Sequence, residues 1–311
     1  MLVTVLMPVR DTPAWMLDLA IDSILNQTLR DFEFLIVDDG SRAEATLACL
    51  KRRASQDQRI RVEPTGGIGL TRALNCGLDR ARGEWIARQD ADDWSESGRL
   101  ELQLDFLRAN LEIELCGTAA WMHRRDGGVL WRSRPVRTNA EICAALWKEN
   151  PFVHGSAVFR AARARSIGGY RVEFTASQDY DFFWRMAETA QAANLGEPLY
   201  HYRYSSGAVS ACKGIEQARA HRAARQLGQA RARGEAENVA AALGAALTPG
   251  EEFRAALKQT DHRMLAGEYG QAARAYAGLL WSHPASALAW GKMARWGIFV
   301  AVPPARELCF R

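Results

Sequence analysis

The sequence lacks most features that would cross-link, anchor or export a chain. Its six cysteines stand far apart, with no CxxC pair and no Cys/His ligand spacing, which argues against a disulfide framework or a zinc site. The N-terminal segment MLVTVLMPVRDTP has no basic residues ahead of its apolar run, so no signal peptide is expected. No window reaches the roughly 18 apolar residues that a membrane span requires. These absences predict a cytoplasmic protein, with peripheral contact to the inner face of the membrane left open.

A strong excess of one charge is also missing. The formal net charge is +4, from 40 basic and 36 acidic residues, and nearly all of the basic residues are arginine. The arginines suit phosphate contacts, but they are spread along the chain, and genome composition explains them equally well. No nucleic acid partner is expected. The hydrophobic fraction of 48% is enough for a real core and argues against disorder.

The first hundred residues alternate between short apolar strands and helices. Strands are predicted for LVTVLMPV, Phe32–Val37, Ile60–Val62 and Glu84–Arg88. Between them lie the helical segments AWMLDLAIDSILNQT, AEATLACLKRRASQ and GGIGLTRALNCGLDRARG, the last of which should end at Gly83. This alternation is typical of parallel βαβ units with helices on both faces of the sheet. Ligands of such sheets gather at the carboxyl ends of the strands.

Acidic residues stand at two of these strand ends. Asp38 and Asp39 follow the second strand, and Asp90, Asp92 and Asp93 follow the strand in RGEWIARQDADDW. Clustered carboxylates raise one another's pKa unless a cation or hydrogen-bond donors share the site. Oxygen ligands on a loop suit Mg²⁺ or Mn²⁺, which often bridges substrate phosphates. A solvated acidic turn or a helix cap is the alternative, but the glycine-led helix start at 66–69 adds a second phosphate-favouring feature.

The second half changes character near residue 215. Up to that point we predict strands near 113–120, 129–131 and 152–160, and helices around 139–148 and through DYDFFWRMAETA. Residues 215–295 are almost wholly helical, and Leu265–Pro284 resembles one tetratricopeptide-type hairpin. We therefore predict a catalytic domain at 1–214 and a helical extension at 215–311, serving homo-oligomerisation or recruitment of the acceptor or membrane. The terminal segment RWGIFVAVPPARELCFR fits either a docked tail or a membrane contact.

Five ordered blocks resemble the family 2 glycosyltransferases: LMPVRD, QTLRDFEFLIVDDGS, GGIGLTRALNCGLDRARGEWIARQDADDW, HGSAVFR and QDYDFFWR. The resemblance covers residues 1 to about 212. It implies an α/β GT-A fold, Rossmann-like, with a mixed, mainly parallel sheet flanked by helices. It also implies an inverting hexosyltransferase that moves a sugar from a nucleotide-diphosphate sugar, with a UDP-sugar favoured. The acceptor would be a hydroxyl of a polysaccharide, glycolipid or protein glycan in cell-envelope biosynthesis, and the cofactor Mn²⁺ or Mg²⁺.

The resemblance assigns roles on the donor side. The loop after the first strand should hold the base and ribose, and Asp39, with Asp38 beside it, should meet the base. Asp90 is expected at the ribose, and Asp92 should ligate the metal that bridges the diphosphate. Arg72, in the glycine-led helix, could reach phosphate. The predicted donor-side residues are therefore Pro8, Val9, Arg10, Asp11, Asp38, Asp39, Arg72, Asp90 and Asp92.

The resemblance also assigns roles on the acceptor side. Asp179 in QDYDFFWR matches the general base, which takes the proton of the acceptor hydroxyl. Asp181 is its nearest competitor, and Gln178 stands where an acidic residue often precedes the base. His154 in HGSAVFR matches a histidine near the acceptor, although a lone histidine is more often structural.

Two departures and two alternatives stay open at this stage. Arg203 is kept in HYRYSS, but Ser205 stands where the family often has a histidine, for which His201 is the available substitute. Arg10-Asp11 also replaces a common Tyr-Asn pair. A degenerate nucleotide-binding scaffold and a nucleotidyltransferase are the alternatives, and the latter should carry a glycine-rich basic motif that MPVRDTPAW lacks.

Overall fold

One mixed sheet organises the computed structural model, which describes residues 2–205 and 213–301, from 297 onward by backbone alone. Nine strands within these ranges form the sheet. In chain order they are β1 Val3–Val9, β2 Phe32–Asp38, β3 Ile60–Pro64, β4 Trp85–Arg88, β5 Trp94–Ser95, β6 Ile113–His123, β7 Val129–Arg132, β8 Val158–Arg160 and β9 Gln191–Arg203.

Helices cover both faces of the sheet and form the C-terminal part of the chain. They are α1 Ala14–Leu25, α2 Glu44–Gln56, α3 Leu70–Arg80, α4 Arg99–Ala109, α5 Asn139–Leu146, α6 Ala161–Ser166, α7 Gln178–Thr189, α8 Gly214–Ala232, α9 Val239–Gly244, α10 Pro249–Leu265, α11 Tyr269–Ser282 and α12 Ala287–Ala301. No helix in the described ranges is long and apolar enough to cross a membrane.

The strand order places the carboxyl ends of β1 and β4 side by side. The sheet runs β3-β2-β1-β4-β8-β6-β9-β5, and its first four strands are parallel, so that their carboxyl ends share one edge. Strand β4 then pairs antiparallel with β8, while β9 lies parallel to β6 and antiparallel to β5. The acidic loop after β4 is consequently held at both ends, by β4 itself and by β5.

Apolar side chains of the first strands alternate between two cores. In β1, Val3, Val5 and Met7 face the core under α1 and α4, whereas Leu6 faces the core under α3 and α7. Strand β2 repeats this alternation. Both faces of the parallel sheet are therefore buried, which explains the nearly continuous apolar runs of its strands. The predicted βαβ alternation is confirmed.

Several elements differ from the sequence-based predictions. The predicted strand at 152–160 begins instead with a 3₁₀ turn at His154–Ser156, and only Val158–Arg160 is strand. Helix α3 ends at Arg80 rather than Gly83, because Gly83 packs against β1, where a Cβ would lie 2.3 Å from the Thr4 nitrogen. Strand β9 and helix α4 were not predicted. In β9, polar residues and a proline interrupt the apolar pattern.

The C-terminal helices divide into two groups by their packing. Ala220, Ala223 and Leu227 of α8 belong to the same buried core as α3, α5 and α7. A third core joins α10, α11 and α12 to the sheet through Leu130 of β7 and Tyr204, which follows β9. The range Leu265–Pro284, predicted as a helical hairpin, holds one helix, α11, which packs on the preceding helix α10. The boundary at residue 214 stays a prediction, and the terminal segment 302–311 lies outside the described residues.

Candidate active site

A cavity of about 760 Å³ opens at the carboxyl edge of β1 and β4. Its walls are the loops after these two strands, the start of α7 and the end of β9, and the extension adds Gln217 of α8 and His262 of α10. Nine of the predicted site residues line it: Pro8, Arg10, Asp11, Asp90, Asp92, His154, Gln178, Asp179 and Arg203. The structure therefore brings donor-side and acceptor-side candidates into one space.

The acidic loop after β4 is fixed by a tyrosine from β9. The Tyr200 hydroxyl accepts a hydrogen bond from the Asp90 backbone N–H at 3.1 Å and donates one to Asp93 Oδ2 at 2.9 Å. Asp93 Oδ1 accepts the Arg203 backbone N–H at 2.7 Å. The Asp93 carboxylate is thus used to bind the end of β9 to the acidic loop. Burial, then Asp92 and Asp90, raise the pKa of Asp93 well above its ordinary value.

Asp92 is the least neutralised carboxylate of the loop. Its Oδ2 accepts the Ser205 hydroxyl at 2.9 Å, at the position where the family often has a histidine. Burial and the neighbouring Asp90 both raise the pKa of Asp92. A cation beside this carboxylate would relieve that repulsion, because an opposite charge favours the ionised form.

A buried arginine supports the other wall. Arg88 is fully buried at the end of β4, and its guanidinium donates to Asp90 Oδ1 at 2.6 Å and to the Leu6 carbonyl at 2.6 Å. Its Nε donates to His154 Nε2 at 3.2 Å, and the Tyr170 hydroxyl lies 3.0 Å from the same nitrogen. Burial and Arg88 lower the pKa of His154 well below its ordinary value. His154 is therefore a neutral acceptor that aligns Arg88, which favours the structural interpretation.

Arg203 is placed in the cavity by two aromatic rings. Its guanidinium carbon lies 4.7 Å from the ring centroids of Trp15 and of Trp94. Its Nε donates to the Asp92 carbonyl at 3.1 Å and its Nη1 to the Arg125 carbonyl at 3.1 Å. These two cation–π contacts hold a positive charge beside the acidic loop.

Asp179 lies in the first turn of α7 and lines the cavity. The Asn150 amide donates to Asp179 Oδ2 at 2.7 Å. Burial raises the pKa of Asp179 to about 6, and Asp90 adds to the shift. A carboxylate whose pKa lies near neutrality is well matched to proton abstraction at physiological pH.

Asp39 is committed to the protein itself. Its Oδ1 accepts the Ile68 N–H at 2.7 Å and its Oδ2 the Gly69 N–H at 3.0 Å, while the Thr65 hydroxyl donates to Oδ1. The glycine-led helix start therefore binds an internal carboxylate rather than a phosphate, since helix N-termini favour any nearby anion. Asp39 is not among the residues that line the cavity, although Arg10, 3.8 Å away, is.

Asp38, at the end of β2, and Asp11, in the loop after β1, also accept hydrogen bonds from the protein backbone. Asp38 accepts the Ser41 N–H at 3.0 Å and is not a lining residue. Asp11 does line the cavity, but its Oδ1 accepts the backbone N–H groups of Arg42 and Ala43 before α2. These backbone bonds lower the pKa of Asp11. The Asp11 carboxylate therefore joins the loop after β1 to the start of α2.

Four further predicted residues lie away from the cavity lining. Val9 is buried in the core, and Arg72 is exposed on α3. Asp181 forms ion pairs with Arg171 and Arg185 behind α7, so it does not compete with Asp179 as a base. Both nitrogens of His201 are engaged, Nδ1 with His123 at 2.9 Å and Nε2 with Glu96 at 2.8 Å. His201 does not substitute for the missing histidine, because its position in β9 points it to the β5 side.

Several site residues were missed by sequence reasoning. Arg88 and Tyr200 hold the acidic loop, and Asn150 holds Asp179. A charged residue ending an apolar strand was the one available signal, since "WIAR" places Arg88 directly before the acids. Nothing local marks Tyr200 or Asn150, because their partners lie 110 and 29 positions away.

The residues present fit a divalent cation of the kind that shares its ligands with a substrate. No group of three or more His, Cys, Asp or Glu side chains within the described ranges could hold a metal by itself. Mg²⁺ and similar ions commonly take one or two protein carboxylates and complete their shell with water and phosphate oxygens. Asp92, with a raised pKa and one hydroxyl partner, suits such a position.

Comparison with known proteins places the chain in a family. The profile of glycosyl transferase family 2 matches residues 4–163. The Bacillus subtilis protein EpsE is 34% identical over 194 residues, which cover 61% of this chain and 68% of EpsE. The amylovoran biosynthesis glycosyltransferase AmsE of Erwinia amylovora is 30% identical over 199 residues, covering 64% of this chain and 74% of AmsE.

Solved structures share the fold. S. aureus TarS (residues 1–349) in complex with UDP superposes with a TM-score of 0.56 at 16% identity, over 89% of this chain and 83% of TarS. The mannosyltransferase PcManGT of Pyrobaculum calidifontis, in complex with GDP-Man and Mn²⁺, gives a TM-score of 0.56 at 18% identity, over 97% of this chain and 81% of its own.

The chain belongs to glycosyl transferase family 2. It has the GT-A type of fold and is a glycosyltransferase that uses a nucleotide-sugar donor. The predicted family, fold class and enzyme class are thereby confirmed. The scaffold and nucleotidyltransferase alternatives are set aside by the same finding.

Proposed function

We propose that this glycosyltransferase transfers a hexose, with inversion, from a nucleotide-diphosphate sugar to a hydroxyl of a carbohydrate or glycolipid acceptor. The observation that carries the proposal is the position of Asp179, which lines the same cavity as Asp90 and Asp92. A direct displacement needs a base for the acceptor hydroxyl and positive charge at the leaving diphosphate; Asp179 is the candidate for the first role, and Asp92, through a bound cation, for the second.

Asp179 takes the acceptor proton. Its carboxylate, oriented by Asn150 at 2.7 Å, removes the hydrogen of the acceptor hydroxyl as that oxygen attacks the anomeric carbon. The bond between the anomeric carbon and the diphosphate oxygen breaks on the opposite face, so the product has inverted configuration. The nucleoside diphosphate leaves with the bonding electron pair.

The donor occupies the side of the acidic loop. Asp92 would hold a Mn²⁺ or Mg²⁺ ion, which when bound supplies positive charge to the leaving diphosphate. Arg203, fixed between Trp15 and Trp94, adds a second positive charge on this side. Asp90 faces the ribose, and Arg10 and Asp11 border the base. We take a UDP-sugar as the first donor to test, with GDP-mannose second, since TarS binds UDP and PcManGT binds GDP-Man.

The biological setting we propose is synthesis of a cell-envelope polysaccharide. AmsE, a relative at 30% identity, is a glycosyltransferase of amylovoran biosynthesis. This setting requires the enzyme to work on the cytoplasmic side of the membrane, where nucleotide sugars are made.

The first experiment identifies the donor and tests the metal. UDP-, GDP- and dTDP-sugars are incubated with the protein, with and without Mn²⁺, and release of nucleoside diphosphate is measured. We expect release from one donor, dependent on Mn²⁺ and lost in Asp92→Ala. The matched control is Asp105→Ala, which removes an exposed carboxylate of α4 and should leave release unchanged. Metal-independent release that survives Asp92→Ala would remove the metal from the proposal.

The second experiment tests the base. Asp179→Asn keeps the size of the side chain but cannot accept a proton, so transfer to acceptor should fall by about 10²–10⁴-fold. Binding of the nucleoside diphosphate should be retained. Transfer within a few-fold of the parent, with an intact Tm, would reject Asp179 as the base. NMR of the product anomer tests inversion independently.

A further inference from the structure

A second cavity, of about 280 Å³, lies between α8 and α10, and three cationic side chains are part of its lining. Arg225 projects into it from α8, and Arg254 and Lys258 do so from α10. Arg254 and Lys258 are one helical turn apart, so they present their charges on one face. Two helices thus direct three cations into one small space.

These three cations have no carboxylate within ion-pair distance among the residues that the structure describes. The acidic residue of the lining, Glu251, is engaged elsewhere. Its Oε2 accepts hydrogen bonds from the Thr248 backbone N–H and hydroxyl in a capping box, and it also pairs with Arg222 at 3.4 Å. The lining therefore holds three cations against one carboxylate, and Glu251 offsets their positive charge only in part.

Two of these cations also affect a neighbouring histidine. His221 of α8 also lines the cavity, and burial together with Lys258 and Arg225 lowers its pKa to about 4. The ring of His221 is consequently neutral near physiological pH. The three cations supply the positive charge, and His221 supplies a polar wall.

The cationic cavity adjoins the candidate active site. Gln217 of α8 lines both cavities. The His221 ring packs on Tyr180 with centroids 4.8 Å apart, and Tyr180 is the residue directly after Asp179. The cationic cavity therefore borders the base side of the active site, where an acceptor must approach.

We propose that this cavity binds an anionic group, a phosphate or a carboxylate, carried by the acceptor saccharide whose hydroxyl is presented to Asp179. The inference rests on the proposed function and extends it by naming the chemical class of the acceptor. Guanidinium groups match the oxygens of both anions in a two-pronged geometry, and Lys258 adds a mobile point charge. The donor diphosphate occupies the other side, near Asp92 and Arg203, so the two cavities bind different anions.

Binding of small probes tests the cavity directly. Glucose 1-phosphate, glucuronic acid and glucose are titrated calorimetrically into the parent and into the double variant R254A/K258A. The matched control is R219A/R274A, which removes two exposed arginines of α8 and α11 that do not line the cavity. Both double variants lose the same charge, so a general electrostatic effect cancels.

The expected result is specific. The parent should bind at least one anionic probe about tenfold or more tightly than glucose, and R254A/K258A should lose about tenfold of that affinity. The control variant should bind as the parent does. The two anionic probes separate a phosphate-bearing acceptor from a uronic acid-bearing one.

Three outcomes overturn the inference: no preference of the parent for either anionic probe, equal affinity in parent and R254A/K258A, or equal loss in R219A/R274A. Equal affinity in the parent and R254A/K258A is also the result expected if the anion binds only in the active-site cavity. Release of nucleoside diphosphate from the donor without acceptor should be unchanged in R254A/K258A. Absence of that release in the parent would instead refute the proposed function, so the two failures are distinguishable.

Discussion

The electrostatics of the candidate active site depend on which acids of the loop after β4 already have a partner within the protein. Arg88 and Tyr200 are buried and satisfy Asp90 and Asp93, so that Asp92 keeps an accessible carboxylate with one hydroxyl partner. Gly155 allows this arrangement, because a Cβ there would lie 1.9 Å from the Tyr200 oxygen. The site depends as much on these neutralising contacts as on the acids themselves.

Removal of the Tyr200 hydroxyl tests this dependence. Tyr200→Phe deletes the acceptor for the Asp90 N–H and the donor to Asp93, leaving both buried groups unsatisfied. We expect the free energy of unfolding in urea to fall by about 1–3 kcal/mol and transfer to weaken as the loop moves. Tyr269→Phe, which removes the hydroxyl of an exposed tyrosine of α11 that does not line the cavity, is the control and should change both quantities little. Equal effects of the two variants would contradict the role of Tyr200.

The pH dependence follows from Asp179. Burial raises its pKa from 3.8 to about 6, and the base must be ionised to accept a proton. We expect kcat/KM to rise with pH through about 6, and this rise to disappear in Asp179→Asn.

Stability should also depend on the ionisation of Asp179. Because the folded-state pKa is the higher one, the folded protein loses stability relative to the unfolded chain as pH rises from 3.8 to about 6. Asp179→Asn should therefore have a Tm at pH 8 no lower than that of the parent. A kcat/KM profile flat from pH 5 to 8 would contradict this assignment.

At the scale of elements, β9 and α8 join the parts of the molecule. Strand β9 pairs with β6 and β5 and delivers Tyr200 and Arg203 to the acidic loop. Helix α8 packs its small residues on α7, which carries Asp179. The extension is thus in contact with the element that holds the base.

A glycine of α8 tests this contact. A Cβ at Gly228 would lie 2.5 Å from the Trp184 ring of α7, so Gly228→Ala must displace that buried ring or one of the two helices. We expect a loss of about 1–3 kcal/mol in the free energy of unfolding together with reduced transfer. Gly278→Ala in α11, where a Cβ meets nothing within 4 Å, is the matched control. It should be neutral or stabilising by up to about 1 kcal/mol, and a similar loss in both variants would show that α7–α8 packing is not the cause.

At the scale of the whole molecule, the extension contributes to the core beneath α7 and to the wall of the active-site cavity. Ala220, Ala223 and Leu227 of α8 fill the core beneath α7, and Gln217 and His262 line the active-site cavity. The sequence alone predicted a separable extension whose removal at about residue 214 leaves donor turnover intact. The packing leads us to expect the opposite.

Truncation decides between the two expectations. A chain that ends at residue 213 exposes the face of the core that α8 covers, so we expect loss of a cooperative thermal transition and of nucleoside diphosphate release. A chain that ends at residue 247 keeps α8 and α9 and should retain a transition, at lower Tm. Full donor turnover in the shorter chain would show that 1–214 is an independent catalytic domain.

The sequence by itself determined the parallel half of the sheet, the acids at its edge and the helix whose first turn carries Asp179, for which the family resemblance predicts the role of base. These features are encoded locally, in apolar runs, in charges that end them and in a polar first helical turn. Only the tertiary structure decided which acids face the cavity. Asp39 accepts the backbone N–H groups of Ile68 and Gly69, whereas Asp92 lines the cavity and accepts the Ser205 hydroxyl, and these partners come from distant segments of the chain. Strand β9 and the packing of α8 are likewise non-local, since each is stabilised by contacts with partners far along the chain rather than by its own pattern.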